Sequence, residues 1–223
     1  MTQESKVYTL QTRIAGRYLV RTQTDPGPAP VLVGFHGYGE NAQHHLEELI
    51  RFPKTDEWLV VSVQALHRFY ERKSGTVVAS WMTSQDREPM IVDNLGYVDA
   101  VLESVQSSHD TTSVVVYSGF SQGVAMAYHA ATRGRIRPAA IIALAGDVPP
   151  ELRDDDTLIW PKVLVGRGSE DSFYTHTKME DDLAFLRATT GTVESVVFTG
   201  GHHFHDDFRS AAGRLLSSVR GQH

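Results

Sequence analysis

The 223-residue chain contains no cysteine. That excludes a disulfide framework, a thiol nucleophile and any cysteine-ligated zinc or iron–sulfur centre. It also lacks an excess of positive charge. Its 21 Lys and Arg against 27 Asp and Glu leave a formal charge of −6, the wrong sign for a protein that grips nucleic acid through a basic face. No apolar run approaches the roughly 18 residues that read as a membrane span. The opening MTQESKVYTL has no basic segment followed by an apolar one, so no secretory leader is expected and a cytoplasmic location is the default. Internal repeats, low-complexity tracts and long linkers are missing too. The remainder, 41% hydrophobic and 22% charged, is an ordinary globular composition. Its length suits one domain over 1–223, large enough to bury a core without staples.

What is present alternates between two periods. Val7 to Ile14 and Arg17 to Gln23 flank Ala15-Gly16 and read as a hairpin. Asp25 to Pro30 (DPGPAP) is a turn-rich connection. Val31 to Phe35, Trp58 to Val63, Ser113 to Tyr117, Ala139 to Leu144, Lys162 to Val165 and Val193 to Phe198 are short and rich in β-branched residues, as buried strands are. Between them lie helical stripes: Leu95, Val98, Leu102, Val105; then Met179, Leu183, Leu186; then Phe204, Phe208, Leu215, Val219. In AQHHLEEL the pattern turns Leu46, Leu49 and Ile50 inward and His44 and His45 to solvent. Strands alternating with helices predict an α/β fold, a mostly parallel sheet with helices on both faces. The ligand site of such a sheet lies beyond the carboxyl ends of its strands.

One of those ends carries Gly119-Phe120-Ser121-Gln122-Gly123, between an apolar strand and a helical period. G-x-S-x-G in that context is a nucleophile elbow. A turn straight from strand to helix strains the serine backbone and leaves no room for side chains two residues either way. It presents Ser121 Oγ at the sheet edge, and the helix start favours developing negative charge. A second strand ends in His36-Gly37-Tyr38-Gly39-Glu40-Asn41. Its glycines let the backbone approach a reacting carbonyl, and the amides of Tyr38 and Gln122 are candidates for an oxyanion hole. His36, directly behind the strand, suits a loop anchor better than a base.

A serine hydroxyl needs a base, and the base needs a carboxylate to fix its tautomer. In elbows of this kind the order is serine, acid, histidine. Asp171, after the strand ending in Val165, is the candidate acid; Glu170 beside it and Asp147 in LAGDVPP are alternatives, and helix capping would explain the same residues. His202, directly after Gly200-Gly201, is the candidate base, with His203 and His205 as competitors. His202, His203, His205, Asp206 and Asp207 are also metal-ligand types, but neighbouring positions rarely converge on one tetrahedron, so no metal is expected.

In this order, HGYGEN, GFSQG, GRGSED and TGGHH resemble the phospholipase/carboxylesterase group of α/β-hydrolases from about Val31 to the last helix. Ser80-Trp81-Met82, with Asp93-Asn94 before a helix, is similar to that group's tryptophan loop. The resemblance implies a single-domain hydrolase without a large lid, acting on a small-molecule ester as monomer or homodimer. It implies a Ser121-Asp171-His202 triad, the Tyr38 and Gln122 amides as oxyanion hole, and no cofactor. Trp81 and Met82 are candidates for the substrate pocket. The chain departs from the group in HGYGE, where the thioesterase branch has HGLGD, and in EDSFYT, where the acid is usually followed by proline. Tyr38 would thereby narrow the pocket, which favours a general carboxylesterase for short to medium acyl groups over a depalmitoylating enzyme. Thioester, lysophospholipid or peptide cleavage on the same triad, and an idle hydrolase fold used for binding, are the other readings.

Overall fold

Each run of alternating contacts in the centre of the chain serves two cores at once. In the computed structural model, which describes residues 5–190 and 192–220, strands β2 (Ala29–Phe35), β3 (Leu59–Gln64), β6 (Thr111–Phe120), β7 (Ala140–Leu144) and β8 (Lys162–Gly168) are almost wholly buried. Val31, Val33, Val61, Val115, Ile141 and Val163 face one core. Leu32, Val60, Val116, Ile142 and Leu164 face the other. A strand buried on both faces needs apolar residues at every position, which is why these segments are continuous and not alternating.

With β1 (Arg17–Arg21) and β9 (Val193–Phe198) the sheet has seven strands in the order β1-β3-β2-β6-β7-β8-β9. Only β1 runs antiparallel. Helices α2 (Arg87–Ser108), α3 (Gln122–Arg133) and α5 (His176–Thr190) cover the first core. Helices α1 (Ala42–Leu49) and α6 (Asp206–Arg220) cover the second. The short helix α4 (Pro150–Arg153) follows β7, and β4 (His67–Tyr70) pairs with β5 (Val77–Ser80) as a separate two-stranded ribbon. The architecture is the α/β-hydrolase fold. Among the described residues no helix is long and apolar enough to cross a membrane.

Several sequence expectations are corrected. The hairpin about Ala15-Gly16 does not form. Arg17–Arg21 pairs instead with β3, and Val7, Tyr8 and Leu10 are exposed. The tyrosine of α2 explains the choice: Arg17 N–H donates to Tyr97 Oη at 2.9 Å, and that hydroxyl donates to Arg17 O at 2.6 Å, fixing the strand's start. Asp93-Asn94 lie inside α2, which begins at Arg87. Pro89 falls in the first turn, where an amide donor is not required. In α1 it is His45, with Ala42 and Leu49, that faces the sheet, while Ile50 is exposed. Gly34 beneath them makes the room: a Cβ there would lie 2.3 Å from Leu49 and 2.8 Å from the His45 ring.

Candidate active site

The serine sits where β6 becomes α3. Its backbone is at φ 51°, ψ −120°, a region L-residues avoid at a cost of about 1–3 kcal/mol. Neighbouring backbone holds it there: Ser121 N–H donates to Leu144 O at 2.9 Å, and Val124 N–H donates to Ser121 O at 3.0 Å. The flanking glycines are required by contact. A Cβ on Gly119 would lie 2.4 Å from Gly123 O, and one on Gly123 would lie 1.9 Å from Phe35 O. Neither neighbour is a movable side chain. Gly123→Ala is therefore expected to cost about 3 kcal/mol or more, read as a lower thermal midpoint, whereas Gly96→Ala in α2, where a Cβ meets nothing, should not destabilise.

Asp171 is 4% exposed and its carboxylate is fully engaged. Oδ1 accepts from Phe173 N–H at 2.9 Å and Tyr174 N–H at 3.0 Å, and Oδ2 accepts from His202 Nδ1 at 2.8 Å. Because the carboxylate only accepts, Nδ1 is the donor in this bond and carries a proton. The rings of Phe120 and Phe173 lie 5.0 and 5.1 Å from the imidazole. The loops carrying Asp171 and His202 are stitched together by main chain, Ser169 N–H to Phe198 O at 2.7 Å and Glu170 N–H to Gly200 O at 2.8 Å. Glu170 itself is exposed. Asp147 forms an exposed pair with Lys178 at 3.2 Å. His205 stacks on Phe198 at 4.9 Å, and the exposed His203 also packs against that ring.

Ser121 and His202 line one cavity of about 550 Å³ at the carboxyl ends of the strands. Among the described residues Ser121 Oγ makes no hydrogen bond, to His202 or to another group. The Tyr38 and Gln122 amides likewise have no protein partner there, so both donors are free. Gln122 is held by its side chain: Oε1 accepts from Trp81 N–H at 2.8 Å, and Nε2 donates to Met82 O at 2.8 Å.

The loop carrying Tyr38 is braced on both sides. Gly37 N–H donates to Glu40 Oε2 at 2.8 Å, while Gly39 N–H and Glu40 O bond to Ala79 of β5 at 3.0 and 2.8 Å. Burial pushes the Glu40 carboxyl above its usual range. His36 is an anchor. Nδ1 donates to Gly37 O at 2.7 Å and Nε2 accepts from Ala65 N–H at 3.0 Å. Burial lowers its pKa to about 4, so the ring is neutral.

Met82 lines the cavity but Trp81 does not. The Trp81 ring is fully buried, with Nε1 donating to His36 O at 2.8 Å, so it braces the site from below. The Tyr38 side chain is 63% exposed and packs on Phe69. It does not narrow the cavity, and the inference drawn from it against larger acyl groups loses its ground. Sequence reasoning missed Glu40, whose signal was its place directly after HGYG, and Arg87, which also lines the cavity and carries no motif.

Residues 19–210 match the family described as Phospholipase/Carboxylesterase. The chain belongs to that family, a group of α/β-hydrolases. Among solved structures it resembles esterase PE8 (20% identity, TM-score 0.74, covering 92% of this chain and 100% of that one). It also resembles Zea mays acyl-protein thioesterase 2 (18%, 0.69, 93% and 100%) and the Bacillus cereus carboxylesterase (16%, 0.72, 92% and 94%). At these identities the likeness is one of fold. A comparison with curated proteins finds no match.

Proposed function

We propose that the chain is a serine carboxylesterase that hydrolyses small-molecule carboxylic esters through an acyl-enzyme. The observation that carries this reading is the buried Asp171 bonded to His202 Nδ1, on an imidazole that shares a cavity with a strained, helix-capping Ser121. In this reading Ser121 Oγ turns onto His202 Nε2 as substrate enters, since catalytic hydrogen bonds often tighten only in the complex. Nε2 takes the hydroxyl proton while Oγ bonds to the ester carbon. The carbonyl electron pair moves to oxygen, which the Tyr38 and Gln122 amides receive. Each such donor is worth about 3 kcal/mol in the transition state. Collapse breaks the bond to the alkoxide, which leaves with the proton from Nε2. A water molecule, deprotonated by the same nitrogen, then attacks the acyl-enzyme and releases the acid and Ser121. Asp171 keeps Nδ1 protonated throughout and stabilises the imidazolium.

A fluorophosphonate tests this directly. Peptide mapping is expected to place the label on Ser121, with p-nitrophenyl acetate and butyrate turnover lost in parallel. A protein that turns over these esters with the label elsewhere, or with none, would overturn the reading. A matched butyryl thioester separates ester from thioester preference.

A further inference from the structure

The cavity is positively biased within an acidic chain. Arg87 and Lys178 line it against one carboxylate, Asp147, although the chain carries −6. Lys178 is committed to Asp147 at the rim. Arg87, at the start of α2, is bonded differently. Its Nη2 donates to Glu151 Oε1 at 2.7 Å, but its Nη1 is directed at the sulfur of Met82, 2.8 Å away. A thioether is a weak acceptor, so a guanidinium nitrogen inside the cavity lacks a partner of matching strength. Glu151 is not a dedicated counter-ion either. The same Oε1 also accepts from buried His129 Nε2 at 3.1 Å. Met82 connects this donor to the reaction centre, because its carbonyl is held by Gln122, the residue after the nucleophile.

We infer that Arg87 recognises a carboxylate carried by the ester, and that the enzyme prefers anionic esters, such as dicarboxylic half-esters, to neutral esters of equal size. Nη1 exchanges the Met82 sulfur for a carboxylate oxygen, a charge-assisted bond of the kind for which the planar arginine fork is suited. Arg87 and Lys178, the two cations of the lining, disfavour a substrate whose second group is cationic. The inference rests on the esterase reading and names the substrate class of that same site.

The test compares isosteric pairs within one protein sample, so that the ratio is independent of how much of a variant folds. With the charge on the acyl part, the pair is p-nitrophenyl hemiglutarate against p-nitrophenyl 5-methylhexanoate. With the charge on the alcohol part, it is 4-acetoxybenzoate against 4-acetoxybenzamide. In at least one pair kcat/KM is expected to favour the anion by about tenfold, the effect of one partly exposed charge-assisted hydrogen bond. Arg87→Met should abolish the preference and Arg87→Lys retain part of it, with the change mainly in KM. No anionic preference in either pair, or a preference indifferent to Arg87→Met, would overturn the inference and leave the esterase reading intact. If no ester is turned over, the esterase reading fails, and titration with monomethyl glutarate still decides. Binding weakened about tenfold by Arg87→Met supports carboxylate recognition by that residue, and binding that is absent or unchanged overturns it.

Discussion

On the proposed triad, Ser121→Ala is expected to lower kcat/KM for p-nitrophenyl butyrate by about 10⁴-fold or more, and His202→Ala by a similar factor, because members of a triad act as a unit. The double variant should be no worse than either single one. Asp171→Asn is the sharper test of geometry. Oδ1 accepts two backbone amides, so an asparagine would keep its oxygen there and turn its NH₂ toward His202. That forces the imidazole proton onto Nε2 and removes the base without moving the ring, for a loss of about 10³- to 10⁴-fold. Alanine at His203 or His205 should leave most of the activity. Steady-state kinetics on the five single variants and the double variant checks the set. A loss at His203→Ala as large as that at His202→Ala would reassign the base.

The second large effect is on stability in acid. His36, His45 and His129 are fully buried. Burial lowers the pKa of His36 and of His129 to about 4, and that of His45 far below its ordinary value. Among the described residues neither ring nitrogen of His45 has a hydrogen-bond partner, nor has Nδ1 of His129. A histidine whose folded pKa lies below its unfolded value takes up its proton on unfolding. Its full contribution is therefore present above pH 6.5 and is lost as the pH falls toward 4. His36 and His129 each cost about 2 kcal/mol at pH 5, and His45 acts in the same direction. Asp182 acts the other way. Burial raises its carboxyl to about 6, against the hydroxyl of Tyr174 and the pull of Arg153, so it binds a proton on folding and returns about 1 kcal/mol at pH 5. Buried Glu40 has the same sign. His36, His129 and Asp182 together lose about 3 kcal/mol between pH 7.5 and 5, a large part of the usual roughly 5–15 kcal/mol of folding stability. Urea unfolding across that range should show the midpoint falling steeply below pH 6.5, and His45→Leu should flatten the slope by one proton. A midpoint constant from pH 7.5 to 5 would contradict this account.

The sheet was legible in the sequence because a doubly buried strand has one signature, an unbroken apolar run, and five such runs became β2, β3, β6, β7 and β8, while the sixth, also expected to be buried, became the largely exposed edge strand β9. The elbow was legible because its glycines answer to backbone contacts that any strand-to-helix turn creates. His202 could be preferred over His203 from the double glycine, since that turn is where β9 ends. What escaped depends on partners remote in sequence. Arg17–Arg21 pairs with β3 because a tyrosine eighty residues away grips its first residue. His45 turned inward against its polarity because Gly34 opens a slot in the sheet, although Ala42, His45 and Leu49 already had helical spacing. Trp81 looked like a pocket residue from its neighbour Met82, but its indole is buried and donates to His36 O, while Met82 lines the cavity. Arg87 resembles any charged helix start until Met82 and Glu151 surround it.

The main-chain stitching of the Asp171 and His202 loops has a thermal consequence. Asp171 and His202 ride on a single piece of edge sheet, whereas Ser121 stands on a different element. Gentle warming should therefore loosen the alignment of oxygen with imidazole before it disturbs the imidazole's bond to its carboxylate. The enzyme would then slow well below its melting temperature while the Nδ1 proton of His202 kept its downfield resonance.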